Sequence, residues 1–420
     1  MTAKKINTVV IGAGQAGIAM SEHLSAMDVP HIVLERSRIA ERWRSERWDS
    51  LVANGPAWHD RFPNLKFTNT CQESFPPKER VADYFEEYAK MVKAPIRTGV
   101  NVISVEPNQG RLGFCVTTSD GVYDAANVVA ATGPFQKPAY PDIIPADSEL
   151  MQLHSSAYKN PEQLPEGGVL VVGAGASGSQ IAQELRKAGK EVYLSIGQHY
   201  RPPRSYRGRD YVWWLGALGL WDEIKDPKQQ HVAFAASGYD GGQTVDFRAL
   251  GHMGITLVGS TKGCDNGVVE FKPGLAENIA QGDKGYFDVL RDADKYIEQH
   301  GLDLPPEPSA WELLSDPTCI TQPILSLDLK EAGITSILWA TGFKFDFSWL
   351  KVDAFDKSGA PFQKRGISVQ RGIYFLGLPN LVNRASSFIY GVWHDAKYIA
   401  DHIVVQNGYT DYVKDEDAMN

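Results

Sequence analysis

What this chain has little of narrows its chemistry first. Four cysteines occur in 420 residues, Cys71, Cys115, Cys264 and Cys319, and no two of them form a CxxC pair. Neither a redox dithiol nor the opening half of a zinc site is therefore encoded, and no metal ligand set is expected. Long apolar runs are missing too: the most hydrophobic segments stop at a glycine after a few residues, far short of the ~18 needed to cross a bilayer. The start, Met1 to Asn7, carries no basic segment, apolar core and cleavage site, so a cytoplasmic protein is expected. Nor is there a surplus of positive charge. A net charge of -9 disfavours nucleic acid and anionic membranes, which select basic surfaces, and leaves small molecules as the expected partners. Low-complexity tracts are absent, and 43% hydrophobic with 22% charged residues fits a chain that folds throughout, as two or three domains at this length. Oligomeric state stays open, a homodimer included.

What is present is a repeated nucleotide-binding pattern. Residues 7–11 form a continuous apolar run stopped by Gly12, residues 16–26 carry apolar positions at helical spacing, and residues 31–35 form a second apolar run. Such runs read as strands buried on both faces of a parallel sheet, giving one βαβ unit. The pattern returns about 160 residues later in residues 168–173, 179–188 and 191–195, which implies a second nucleotide domain. Between the copies, residues 81–93 read as an amphipathic helix and residues 127–133 as a strand ending in Ala131-Thr132-Gly133. A strand of the same shape ends in Ala340-Thr341-Gly342; residues 372–377 supply another, and a final helix runs through residues 393–404. Residues 216–318 mix loop and helix signals and give no clear order of elements.

The first glycine motif is Gly12-Ala-Gly14-Gln15-Ala-Gly17, with Glu35 at the end of the next strand and Arg36 after it. The first glycine allows the tight turn, the second admits a pyrophosphate, the third lets helix pack on strand, and the helix N-terminus stabilises the anion. Glu35 is suited to accept ribose hydroxyls. The second motif, Gly173-Ala-Gly175-Ala-Ser177-Gly178, is followed by a strand that ends in Ser195, with Arg201, Arg204, Arg207 and Arg209 beyond it. A carboxylate there would repel a 2'-phosphate, whereas a hydroxyl and guanidinium groups would bind it, so NADPH is expected, chiefly through Ser195, Arg201 and Arg204. Two dinucleotide sites imply a tightly held flavin and a diffusible hydride donor. Without a dithiol, electrons must pass to dioxygen or to a bound organic acceptor.

These motifs together resemble the class B flavoprotein monooxygenases, including bacterial flavin-containing monooxygenases and plant indole-3-pyruvate monooxygenases. The likeness rests on both glycine motifs, Trp43 and Arg47-Trp48, Ala131-Thr-Gly133, His154 to Tyr158, and Ala340-Thr-Gly342-Phe343. It implies an α/β fold of two Rossmann-like domains, with the NADPH domain (161–324) inserted into a discontinuous FAD domain (1–160 and 325–408) and a polar tail over 409–420. It further implies cofactor contacts from Trp43, Trp48, Val102, Thr132, Gly133, Thr341, Gly342 and Asp395, the Ala-Thr-Gly strands lying where the chain passes between domains. Leu51-Val-Ala-Asn54-Gly-Pro56 resembles the family's element whose asparagine lies beside flavin and nicotinamide, making Asn54 the catalytic candidate. Its amide would stabilise a flavin C4a-peroxide by a preorganised dipole; by itself the same segment reads equally as an Asx-type turn. Two departures stand out: Ser148 and Leu150 replace the Phe and Gly of the family's signature, and Tyr158 stands where Baeyer–Villiger enzymes carry Trp. The expected activity is an NADPH- and O2-dependent monooxygenase acting on a small organic substrate, by N/S-oxygenation or by oxidative decarboxylation of a 2-oxo acid. The alternatives are an NADPH-dependent flavin reductase or oxidase and a non-catalytic nucleotide-binding flavoprotein. His154 reads as an interdomain residue, His394 as structural, and Trp213, Trp214 and Trp393 as pocket candidates.

Overall fold

The computed structural model describes residues 3–145, 148–224 and 232–418, with residues 411–418 as backbone alone. Strand β1 (Lys4–Ile11) runs from exposed lysines into four consecutive buried residues, Thr8 to Ile11. It turns through the first glycine motif into helix α1 (Gln15–Ala26) and continues to β2 (His31–Leu34). Helix α2 (Lys78–Met91) begins three residues before the expected start and buries Val81, Ala82, Tyr84, Phe85 and Tyr88 on one face. Strand β3 (Gly121–Ala130) lies parallel to β1 on the side opposite β2.

At this point the chain leaves the first sheet and builds a second, with β4 (Met151–His154), β5 (Gly168–Val172), α3 (Ala176–Lys187), β6 (Val192–Ile196) and β7 (Thr256–Gly259). The stretch with mixed signals resolves into a hairpin after β7 and one long helix, α4 (Leu275–His300). Strand β8 (Ile334–Trp339) completes that sheet, whose order is β7-β6-β5-β8-β4, all parallel. The chain then returns with β9 (Ile373–Phe375), parallel to β3, and the final helix α5 (Ile389–Ala418) packs against α1.

The discontinuous topology matches the expectation, but its borders move. Residues 151–154 and 334–339, expected in the FAD domain, are strands of the second sheet flanking β5. The reason is local. The Ala131 carbonyl packs against Gly12 and the Ala340 carbonyl against Gly173, so each Ala-Thr-Gly strand accompanies its own glycine motif. The polar residues from 409 onward continue α5 to Ala418 instead of forming a separate tail. Apolar cores lie on both faces of each sheet, as βαβ crossovers require. Among the described residues, no helix is long and apolar enough to cross a membrane.

Candidate active site

Gly12 has φ of +105°, and a methyl group on Gly17 would collide with the Gly12 carbonyl oxygen. Both glycines are thus dictated by the turn and by helix-on-strand packing, so Gly17 acts behind the site instead of lining it. Gly14 differs: a methyl group there would meet nothing within 4 Å, because it faces an open cavity of about 470 Å³. Of the residues expected to contact FAD, Gly12, Gly14, Gln15, Glu35, Arg36, Trp43, Val102, Thr132 and Gly133 line this cavity. The Glu35 carboxylate accepts hydrogen bonds from the Ala13 N–H at 2.8 Å and the Ser37 N–H at 2.9 Å, which fixes it beside the turn. Gln15 donates to the Ser387 carbonyl at 2.8 Å and so ties the start of α1 to the segment that leads into α5.

Several wall residues were not among the expected contacts. Arg42, Arg47, Phe135, Asp346, Gly377 and Ser387 all line the cavity. The Arg47 guanidinium lies 4.7 Å from the centre of the Phe135 ring and 5.8 Å from that of Trp43. Burial lowers its pKa to about 10, so it stays cationic at neutral pH and adds positive charge where a dinucleotide phosphate would lie. The density of Arg and Trp in residues 42–48 was the available signal. Trp48, however, is turned the other way: it is 4% exposed and packs with Leu51, Tyr158, Ile181 and Leu185 in the core of the second domain. An indole pays a large hydrophobic return when buried, and this one anchors the domains to each other.

The second glycine motif repeats the first in backbone detail. Gly173 has φ of +104°, and a methyl on Gly178 would strike the Gly173 carbonyl. Ser177 is half-buried at the start of α3. Gly175 is less open than Gly14, since a methyl there would come within 3.6 Å of the Phe234 carbonyl and 3.8 Å of Ala233. The three residues expected to hold a 2'-phosphate are otherwise engaged. Ser195 is buried, donates to the Gly259 carbonyl at 3.0 Å and accepts from the Thr261 N–H at 3.0 Å. Arg201 is buried in an ion pair with Asp283, and Arg204 in one with Asp210. What survives of the specificity argument is that no carboxylate ends β6.

Thr341 and Gly342 do not reach the cavity. The Thr341 hydroxyl donates to the Ala139 carbonyl at 2.5 Å, and the Gly342 carbonyl lies 2.9 Å from Nε2 of buried His154. Burial lowers the His154 pKa, and both contacts hold the chain where it crosses between sheets. Asp395 is 6% exposed and lies off the cavity wall, beside Ser386, with its Oδ2 unpartnered. Burial raises its pKa to about 6. Trp214 is fully buried against Tyr206, and Trp393 donates to Glu22 at 2.6 Å, so both serve packing. His394 is exposed.

Asn54, the expected catalytic residue, lies off the wall of the first cavity and against the second-site helix. This residue is exposed, and its Oδ1 accepts from Nε2 of Gln180, on the second-site helix α3, at 3.3 Å. Its carbonyl accepts from Arg204 Nη1 at 2.6 Å. Glu184, one turn further along α3, accepts from the Ser50 hydroxyl at 2.5 Å and the Tyr158 hydroxyl at 2.7 Å. The loop carrying Asn54 thus belongs to the first domain but rests on the second.

Comparison with known proteins agrees with this arrangement. Residues 9–215 match the model of the pyridine nucleotide-disulphide oxidoreductase family. An uncharacterized CzcO-like oxidoreductase of Geobacillus kaustophilus is 34% identical over 95% of this chain and 98% of its own length. A probable indole-3-pyruvate monooxygenase, YUCCA4, of Arabidopsis thaliana is 25% identical over 95% of this chain and 90% of its own. The solved flavin-containing monooxygenase from Stenotrophomonas maltophilia shares the fold with a TM-score of 0.61 at 18% identity, covering 96% of this chain and 99% of that one. With two glycine turns of the same backbone geometry, four unpaired cysteines and relatives matched from end to end, this oxidoreductase belongs to the class B flavoprotein monooxygenase family.

Proposed function

We propose that the chain is an FAD-dependent, NADPH- and O2-using monooxygenase of a small organic substrate. The observation that carries this reading is the contact of Asn54, on a loop of the flavin domain, with Gln180 of the second-site helix, which supports a site between the two glycine motifs. The residues present fit FAD: Gly14 leaves clear space over the turn, Glu35 is held beside it, and Arg42 and Arg47 line the same wall. In this reading the backbone from Gly12 to Gln15 takes the pyrophosphate at the α1 N-terminus, Glu35 takes the ribose, and Arg47 balances phosphate charge. Val102, Thr132 and Gly133 shape the remaining wall. Held there by these residues, FAD reduced by NADPH would supply the two electrons by which one oxygen atom of dioxygen enters the substrate and the other leaves as water. Asn54 supplies a fixed dipole toward the reacting oxygen. The second glycine motif, Gly173 to Gly178, would hold the NADPH that donates the hydride.

The test gives the FAD-loaded protein NADPH, isotope-labelled dioxygen and a panel of amines, sulfides and 2-oxo acids. One labelled oxygen in product per NADPH consumed is expected. Carbon dioxide release accompanies the label only for a 2-oxo acid, which separates carbonyl attack from N- or S-oxygenation. Stoichiometric hydrogen peroxide with no labelled product would replace this reading with an NADPH oxidase. Asn54→Ala is expected to keep NADPH consumption and to lose roughly 10²- to 10³-fold in product formation, the range for removing one oriented donor from a charged intermediate.

A further inference from the structure

Among the described residues, one hydrogen bond holds the Asn54 side chain, from Gln180 at 3.3 Å. Its direction must therefore come from its backbone, and the backbone there is held in an unusual way. The carbonyl of Asn54 and the N–H of Gly55 belong to one peptide group. The oxygen of that group accepts from Arg204 Nη1 at 2.6 Å, and its N–H donates to Asp60 Oδ2 at 3.1 Å. A cation from the second domain thus holds one end of the peptide plane and an anion from the first domain holds the other. Turning the plane over would set its oxygen against a carboxylate and its N–H against a guanidinium.

Arg204 is itself fixed. It is 6% exposed, Nε lies 3.0 Å from Asp210 Oδ2, Nη2 bonds Asp210 Oδ1, and the guanidinium stands 4.9 Å from the centre of the Phe75 ring. Space around the peptide is equally specified. A methyl on Gly55 would run into the Asp60 carboxylate, one on Gly238 into the Ala53 carbonyl, and one on Gly242 into Phe75. Glycine at three positions lets the two domains close on this single turn.

We propose that Arg204 and Asp60 clamp the Asn54-Gly55 peptide, and that Arg204 is the positioning residue through which the NADPH domain sets the direction of the Asn54 amide. The inference deepens the reading of Asn54 given above and rests on it for its catalytic effect. It also replaces the expectation that Arg204 binds the 2'-phosphate.

The experiment compares wild type, Arg204→Lys and Asp60→Asn as FAD-loaded proteins. Lysine keeps the charge but cannot hold Asp210 and the Asn54 carbonyl together in one plane. First, amide exchange over residues 51–57 is measured without NADPH; both variants are expected to exchange about tenfold faster there and to match wild type elsewhere. Second, the ratio of peroxide to oxygenated product is expected to rise about tenfold, with KM for NADPH within about twofold of wild type. Unchanged exchange over 51–57 in both variants would overturn the clamp. A tenfold rise in KM for NADPH but not NADH in Arg204→Lys, with an unchanged peroxide ratio, would return Arg204 to the phosphate and overturn it as well. Faster exchange with an unchanged peroxide ratio would uphold the clamp and count against the role of Asn54. If Arg204→Lys fails to fold, the isosteric Asp60→Asn carries the same two readouts.

Discussion

Gly14 and Gly17 sit three residues apart in one motif and have opposite physical reasons for being glycine. A methyl at 17 collides with the Gly12 carbonyl, whereas a methyl at 14 enters open cavity. Gly17→Ala is expected to cost roughly 1–3 kcal/mol of fold stability, as overpacking does, and to lower Tm with or without flavin. Gly14→Ala is expected to keep the Tm of the flavin-free protein and to purify with little FAD, because the added carbon occupies the place of the pyrophosphate. Thermal scans and flavin-to-protein ratios distinguish the two. Asp395 offers a second residue-scale check. Its carboxyl titrates at about 6 in the folded protein against an ordinary 3.8, so between those values the folded state holds a proton that the unfolded state has lost. Stability contributed by this group is therefore greatest below about pH 4, falls by about 2–3 kcal/mol as pH rises to about 6, and is flat above. Denaturant titrations of wild type minus Asp395→Asn should show that slope; parallel profiles would contradict it. At this scale the sequence was least legible where partners are distant. Ser195, Arg201 and Arg204 had the chemistry of a phosphate site, but Gly259, Asp283 and Asp210 already satisfy them, and no spacing rule pairs Arg201 with a residue 82 positions away.

Among the elements, the two βαβ units were fully readable, because strands buried on both faces leave continuous apolar runs and glycine punctuates them. The two Ala-Thr-Gly strands were readable as strands but not as members of particular sheets. Their likeness suggested a common sheet; the cause of the likeness is a common duty, backing Gly12 in one domain and Gly173 in the other. Residues 216–318 were opaque because short strands there pair with remote partners, the hairpin after β7 taking a third strand from residues 326–328. An element also makes a prediction. The short strand Ala233–Phe234 pairs with His199–Tyr200 and lies at contact distance from Gly175, beside the turn that is proposed to take a pyrophosphate. Saturating NADPH is expected to displace it, seen as faster amide exchange at residues 233–236 while residues 173–178 become protected. Protection of both segments would show instead that the strand closes over the bound nucleotide.

For the molecule as a whole, the domains are two in topology but joined in packing. Trp48 and Leu51, encoded in the first domain, are part of the core that also holds Ile181, Leu185 and Leu194, and Glu184 bonds both Ser50 and Tyr158. Neither domain can unfold without stripping that core, so a single calorimetric transition is expected. Trp48→Ala should lower it by the roughly 3–5 kcal/mol of a deleted buried indole, and two resolved transitions in wild type would refute the shared core. The same joining made the domain borders hard to read, since a border drawn by sequence order places Trp48 with the first cavity, whose wall it does not line.

One turn, used twice, is finished in two ways: clear space lies over Gly14, and a strand lies across Gly175. The difference translates into residence time. On the proposed assignment, a nucleotide entering the first copy would displace no protein and would be retained by a wall of arginines and a fixed carboxylate, so it would stay for the life of the enzyme. If the predicted displacement of Ala233–Phe234 occurs, a nucleotide entering the second would lift that strand and let it fall back on leaving, which favours exchange over retention. Where each hydride donor has to lift that strand, turnover can be no faster than the strand opens.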